Sequence, residues 1–210
     1  MALGLSYRTK VSMTVNGKAS MSLQQAQDYL SGVPAPAAGA VRSVLTNCDV
    51  KGTAPIPELF SAGLTVFPTD RLSLEFDTVL TRWSAYKELT FEFDSLLGRQ
   101  KAIKNWKDTW RFQFGAEYSL SETLALQASY VFDQSPVTDQ YVDYIIPANN
   151  RHLIGLGLGY HKNNWSLDAG YTYLIVEKRN VRARPREGVF NSRFHNGMSH
   201  IASLSLSYKF

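Results

Sequence analysis

The sequence predicts an all-β fold, the antiparallel wall of a transmembrane β-barrel with about eight strands, and three observations carry that expectation. Apolar and polar residues alternate with period two through segment after segment, as in strands whose two faces meet different surroundings. The connections alternate between tight turns and long loops, which puts the turns at one end of the wall and the loops at the other. Aromatic residues collect towards both ends of the segments with Leu, Ile, Val and Ala between them, as at the two interfaces of a bilayer.

The first segment, 2–20, sets Leu3, Leu5, Tyr7, Val11, Met13 and Val15 against Gly4, Ser6, Arg8, Lys10, Ser12 and Thr14. The second, 59–67, sets Phe60, Ala62, Leu64 and Val66 against Ser61, Gly63 and Thr65. In the third, 71–94, Leu72, Leu74, Phe76 and Leu80 oppose Ser73, Glu75, Asp77 and Thr81. Segment 107–118 opposes Phe112, Phe114, Ala116 and Tyr118 to Arg111, Gln113, Gly115 and Glu117, and 122–133 opposes Leu124, Leu126, Ala128, Tyr130 and Phe132 to Ala125, Gln127, Ser129 and Asp133. In 150–161, Ile154, Leu156, Leu158 and Tyr160 alternate with Gly155, Gly157, Gly159 and His161. In 164–176, Trp165, Leu167, Ala169, Tyr171 and Tyr173 alternate with Ser166, Asp168, Gly170 and Thr172. The last segment, 197–210, is the cleanest, with Ala202, Leu204, Leu206, Tyr208 and Phe210 against Ser203, Ser205, Ser207 and Lys209.

Phe67–Asp70, Ser119–Glu122 and His161–Asn164 have the chemistry of tight turns, and 22–58, 95–106, 134–149 and 177–196 are expected as long loops. In a barrel the turns would be periplasmic and the loops extracellular. Within the first loop, Ser22–Leu30 has the pattern of a short helix, ended by the small-residue, Pro-rich run Gly32–Gly39. The turn-side aromatics are Phe67, Tyr118, Tyr160, Trp165, Tyr208 and Phe210; the loop-side ones are Trp83, Trp110, Tyr130, Phe132 and Tyr173.

Bulk properties fit this reading. The 210 residues form a single segment, 1–210, with 44% hydrophobic residues and a mean hydropathy of −0.20. No apolar run approaches the ~18 residues of a spanning helix, which excludes a helical membrane protein but not a barrel, where only every second residue meets lipid. Cys48 is the only cysteine, so no internal disulfide and no cysteine metal or redox framework is expected. The net charge of +4 is mild, and the basic run Lys178, Arg179, Arg182, Arg184 and Arg186 lacks the interleaved aromatics of a nucleic-acid surface; it reads as a solvated loop. Met1 leads directly into alternation with no signal-peptide pattern, so for an exported protein either the signal has been removed or the chain is a fragment.

Nothing points to an enzyme, a cofactor or a metal. Gly155, Gly157 and Gly159 lie inside an alternating strand, without the strand-to-helix turn of a dinucleotide loop. His152, His161, His195 and His200 have no metal-ligand spacing and read as ordinary surface histidines, and no serine sits in a GxSxG elbow. The charged and amide residues of the polar face, Arg8, Lys10, Glu75, Asp77, Arg111, Glu117, Gln127 and Asp168, point inward, either to pair across a lumen and hold a plug or to line a wet channel.

Several segments carry a resemblance. Asn105-Trp106-Lys107-Asp108-Thr109-Trp110-Arg111-Phe112, Tyr130-Val131-Phe132-Asp133-Gln134-Ser135-Pro136-Val137, Ile145-Ile146-Pro147 with Asn150-Arg151, Trp83-Ser84-Ala85-Tyr86 and Leu5-Ser6-Tyr7-Arg8-Thr9 each match a motif in family order along the chain. Together they resemble the FadL/TodX family of outer-membrane channels. The resemblance implies a 14-stranded barrel with an N-terminal plug, of which this chain would supply the C-terminal portion without the plug and first strands. It implies a multi-pass protein of the bacterial outer membrane that takes up hydrophobic substrates, most readily long-chain fatty acids, otherwise aromatic hydrocarbons, by passive diffusion. Basic residues near the extracellular end meet a carboxylate head group in that family, which makes Lys101, Lys104, Lys107 and Arg111 the candidate substrate-binding residues. The terminal Tyr208-Lys209-Phe210 is similar to a recognition signal for barrel-assembly machinery, and the basic loop lies where it would meet lipopolysaccharide phosphates. The alternative is a small non-transporting barrel whose loops serve a structural or adhesive role.

Overall fold

A computed structural model describes residues 1–20, 34, 39, 47–144, 146–185 and 188–210. The expected helix over Ser22–Leu30 lies outside the described residues. The strands, in chain order, are β1 (Ala2–Arg8), β2 (Val11–Ala19), β3 (Cys48–Ile56), β4 (Leu59–Thr69), β5 (Leu72–Thr81), β6 (Glu88–Phe93), β7 (Arg99–Ile103), β8 (Thr109–Ser119), β9 (Leu124–Asp133), β10 (Arg151–Lys162), β11 (Trp165–Val176), β12 (Arg179–Val181), β13 (Ser192–Phe194) and β14 (Gly197–Tyr208). No helix among the described residues is long and apolar enough to cross a membrane.

The chain divides into two compact units. The first, Met1–Thr9, Pro57–Ser84 and Trp106–Phe210, holds an eight-stranded antiparallel sheet in the order β1-β4-β5-β8-β9-β10-β11-β14. This sheet contains one strand from each of the eight expected segments. β4, β5, β8, β9, β10, β11 and β14 are each between 10 and 12 residues long, close to the roughly 9–11 residues that carry a tilted strand across a bilayer. Among the described residues the sheet is open: β1 pairs with β4 only, and β14 with β11 only.

The register lines up the two faces expected from the alternation. One cross-strand row runs Leu3, Leu64, Phe76, Phe114, Tyr130, Ile154 and Tyr173, and its neighbour runs Val66, Leu74, Ala116, Ala128, Leu156, Tyr171 and Ala202. Much of this apolar face stays exposed; Leu156 is at 64% and Leu204 at 75%. A contiguous apolar surface of this size would aggregate in water and is stable facing hydrocarbon. The opposite face carries Glu75, Gly115, Ser129, Gly155 and Thr172 in one row and Ser73, Glu117, Gln127, Gly157, Gly170 and Ser203 in the next. Its glycines answer a packing need: a Cβ on Gly157 would sit 2.7 Å from Gln127 Oε1, whose side chain lies across the sheet.

The three tight turns form where the sequence places them. Thr69 pairs with Leu72 around Asp70–Arg71 after a register irregularity that begins at Val66, next to Pro68. Lys162 pairs with Trp165 around Asn163 and Asn164, with Asn163 at φ 54°. Ser121 Oγ accepts from the backbone N–H groups of Thr123 and Leu124 in the third.

The long connections depart from expectation, because three of them contain strands. β3 lies in the expected loop 22–58, β7 in 95–106, and β12 and β13 in 177–196. Two expected strands are also divided. Segment 2–20 changes partner from β4 to β3 after Arg8, opposite Pro57, which has no N–H to give the ladder. Segment 71–94 is interrupted by a 3-10 turn at Trp83–Ala85, where Ser84 N–H donates to Asp108 Oδ1 and Trp83 meets Trp106 edge-on at 5.0 Å.

The second unit, Lys10–Ile56 and Ala85–Asn105, is built on the sheet β2-β3-β6-β7. It too has two faces. Val15, Gly52, Phe91 and Gln100 align on one, and Thr14, Thr53, Thr90 and Lys101 on the other.

Candidate functional site

The polar face of the eight-stranded sheet separates its charges. Glu75, Asp77 and Glu117 occupy adjacent β5 and β8, with Gln127 Nε2 donating to Glu117 at 2.8 Å. His161 and Asp168, on β10 and β11, approach to 3.5 Å. Towards the loop end the sign changes. Arg111, Asp133 and Arg151 stand side by side in one cross-strand row on β8, β9 and β10. Arg151 pairs with Asp133, while Arg111 makes no ion pair among the described residues. Two guanidiniums around one carboxylate leave this row with net positive charge.

A groove of about 430 Å³ opens beside that row. The end of β10 and β11 supplies Arg151 and Val176, Ile146–Asn149 forms one wall, and Phe194 and His195 form the other. The walls are mostly apolar; Arg151 stands at one margin, and the other charged lining residue, Glu177, is engaged by His152 and Asn150. Such a shape suits an apolar ligand with one acidic end: the tail leaves water and the acid finds a charged donor.

The two loops over the groove are packed against each other. Val137, Val142, Val181 and Val189 form a small buried core, with Trp106, Ile146, Ala148 and Phe194 packed on it. Val142 is fully buried. Arg179 on β12 is 6% exposed and donates to Ala148 O, to Val137 O at 2.7 Å and to Asp139 Oδ1 at 2.8 Å. Arg184 donates to Val142 O, Asn149 Nδ2 to Lys178 O at 2.7 Å, and Tyr144 Oη to Phe190 O at 3.0 Å. This corrects the expectation of a solvated basic loop. Arg179 is buried and Arg184 donates inward because irregular backbone around a small core needs donors for its carbonyls. Arg182 remains exposed, and Arg186 lies outside the described residues.

The expected head-group residues divide between the units. Lys101 and Lys104 belong to the second. Lys101 Nζ pairs with Glu88 at 2.8 Å, and this bond is the largest influence holding the Glu88 carboxyl below its usual range. Lys104 is buried, at 5% exposure. Lys107 and Arg111 belong to the first unit; the Lys107 backbone N–H donates to Pro136 O at 3.0 Å. Arg151 and Asp133 have no role in the sequence reading, although both stand in the segments that carry the family resemblance.

Three of the four histidines have defined partners. His152 Nδ1 lies 2.8 Å from Tyr130 Oη and its Nε2 3.1 Å from Glu177 Oε1; Asn150 Nδ2 donates to the other Glu177 oxygen at 3.0 Å. His200 pairs with Tyr171 Oη and His161 with Asp168. No group of three or more His, Cys, Asp or Glu among the described residues is placed to hold a metal ion.

A family profile described as outer membrane protein transport protein (OMPP1/FadL/TodX) matches residues 1–210. A putative outer membrane protein of Neisseria meningitidis is 29% identical over 99% of this chain and 47% of its own length. The long-chain fatty acid transport protein of Escherichia coli is 25% identical over 86% of this chain and 40% of its own. Among solved structures, a Pseudomonas aeruginosa FadL homologue superposes with a TM-score of 0.77 at 21% identity, covering 98% of this chain and 48% of that one. The Pseudomonas putida toluene transporter TodX gives 0.61 at 18% identity, covering 99% and 45%. The chain therefore spans about half the length of the relatives it matches.

Proposed function

The chain belongs to the outer-membrane transport family OMPP1/FadL/TodX, and from that premise we propose that it is the part of a passive outer-membrane channel wall that receives long-chain fatty acids at its loop end. The observation that carries the reading is the apolar groove of about 430 Å³ ending on Arg151, in a cross-strand row with net positive charge. An acyl chain fills the groove and its carboxylate meets Arg151 at the margin, with Arg111 two strands along in the same row to add to the positive field. A neutral aromatic hydrocarbon has no use for the two arginines. Strands of 10–12 residues with one apolar face carry the wall through the bilayer, and diffusion down the ligand gradient needs no cofactor.

The four candidate head-group residues differ in where they stand in the fold. Arg111 is first, since it shares the row with Arg151 and makes no ion pair among the described residues. Lys107 follows, tied by its backbone to Pro136 in the connection between β9 and β10 that also walls the groove. Lys101 and Lys104 stand in the second unit and rank last. Exposed Arg182 is the group open to lipopolysaccharide phosphates, and Tyr208-Lys209-Phe210 to barrel-assembly machinery.

The test is uptake by cells expressing the full polypeptide, comparing a labelled long-chain fatty acid with the fatty alcohol of equal length. Arg111→Gln is expected to raise KM for the acid about tenfold, the value of one charge-assisted contact, and to leave the alcohol unchanged. An equal effect on both ligands would remove the head-group role. Loop-dependent surface binding without saturable uptake would reverse the transport reading in favour of an adhesive barrel.

A further inference from the structure

We propose that Arg179 is a positioning residue for the ligand groove: its buried guanidinium fixes the Ala148 wall, so that the two loops above form a fixed cap. The proposal rests on the groove described under the proposed function, but not on transport itself.

Burying a guanidinium is costly, and a hydrophobic residue of equal volume would pack as well in a core of four valines. The side chain is 5% exposed, while its carboxylate partner, Asp139, is 88% exposed and can be solvated without it. Its other acceptors are the backbone carbonyls of Val137 and Ala148. Both belong to the connection between β9 and β10, outside any strand, where no ladder supplies an N–H. The planar fork spans the two carbonyls, which lie eleven positions apart in the sequence, and ties both to β12. Lysine, with a single compact ammonium, lacks that span. Arg179 Nε is buried with no acceptor, so the fork is held by its two terminal nitrogens alone.

The consequence reaches the groove through one atom. Ala148, whose carbonyl accepts from Arg179 and from Ser135 Oγ at 3.1 Å, is itself a wall residue, and adjacent Asn149 is tied to Lys178 O at 2.7 Å; Arg179 is the donor that joins this wall to β12, since Ser135 lies in the same connection as Ala148. A guanidinium this buried cannot attract an anion from solution, so its effect on a ligand must come through the wall it holds.

The experiment uses the full polypeptide with Arg179→Lys and Arg179→Met, and wild type as reference. Heat-modified gel mobility counts folded barrel, uptake of a labelled long-chain fatty acid gives KM and maximal rate, and proteinase K on intact cells reports the loops 134–149 and 177–196. Both variants are expected to raise KM about five- to tenfold at unchanged maximal rate and folded amount, and to become cleavable in both loops. Arg179→Lys is the deciding variant, since it keeps the charge and loses the fork. Wild-type KM and wild-type protection in Arg179→Lys would overturn the proposal. If wild type shows no saturable uptake, the transport reading fails separately, and protease protection alone decides: loops equally resistant in both variants overturn the positioning role, and loops cleaved only in the variants sustain it.

Discussion

Replacing neighbouring residues on opposite faces of one strand tests the assignment of those faces directly. Ser203 and Leu204 are consecutive in the middle of β14, so Arg at either position meets the same depth, strand and backbone. Leu204 is 75% exposed and aligns with Ala169 and, one strand further, Leu158, inside the apolar band. Ser203 aligns with Gly170 and, one strand further, Gly157 on the polar face, beside the polar side chain of Gln127. An arginine facing lipid near the bilayer centre costs about 2–4 kcal/mol, and one facing a wet lumen costs little. Leu204→Arg should thus shift the folding equilibrium by roughly thirty- to several-hundred-fold, and Ser203→Arg by less than about threefold. The assay is reversible denaturant unfolding of the full polypeptide refolded into thin liposomes, followed by tryptophan fluorescence. Equal destabilisation by the two variants, or a cost below about 1 kcal/mol for Leu204→Arg, would refute the assignment of the apolar face to lipid.

Gly157→Val forces Gln127 aside and breaks its 2.8 Å bond to Glu117, which should cost about 1–2 kcal/mol, whereas Gly4→Ala, with nothing within 4 Å, should stay within about 0.5 kcal/mol in the same unfolding assay. For Asp108, burial works to raise the carboxyl pKa, but hydrogen bonds from Ser84 and the nearby Arg82 guanidinium outweigh it and hold the group below the usual carboxylate range. A depressed folded-state pKa stabilises above the unfolded value and is lost as pH falls through the folded one. The Trp83–Trp106 contact should therefore persist through mild acid and loosen only in stronger acid, and Asp108→Asn should remove that step from the fluorescence titration.

The strands of the spanning sheet are legible because lipid on one side and polar groups on the other impose a period of two over 10–12 residues, as in the alternation from Ala202 to Phe210. β3 leaves a fainter trace. Val50, Gly52, Ala54 and Ile56 do alternate, but with small residues and with Pro55 inside the strand. β7 is Arg-Gln-Lys-Ala-Ile, with no apolar periodicity, and β12 and β13 are three residues each, too short to show one. Arg151 and Asp133 are visible as members of the family-like segments, yet their pairing depends on β9–β10 register.

By itself the sequence determined the face of each spanning strand, the sites of the tight turns and the membership in an outer-membrane family. The faces and the turns are local properties, each set by residues within a few positions of one another, while the family shows in the order of motifs along the chain. The tertiary structure alone decided which arginines are buried. Arg179 and Arg182 are indistinguishable in a basic run, but loop 134–149 folds back over the first and leaves the second in solvent. It also decided the groove, whose walls come from residues as far apart as Ile146 and Gly197. Alternation specifies which way a side chain points; what it meets there is settled by chain closure across tens of residues, for which a strand pattern carries no signal.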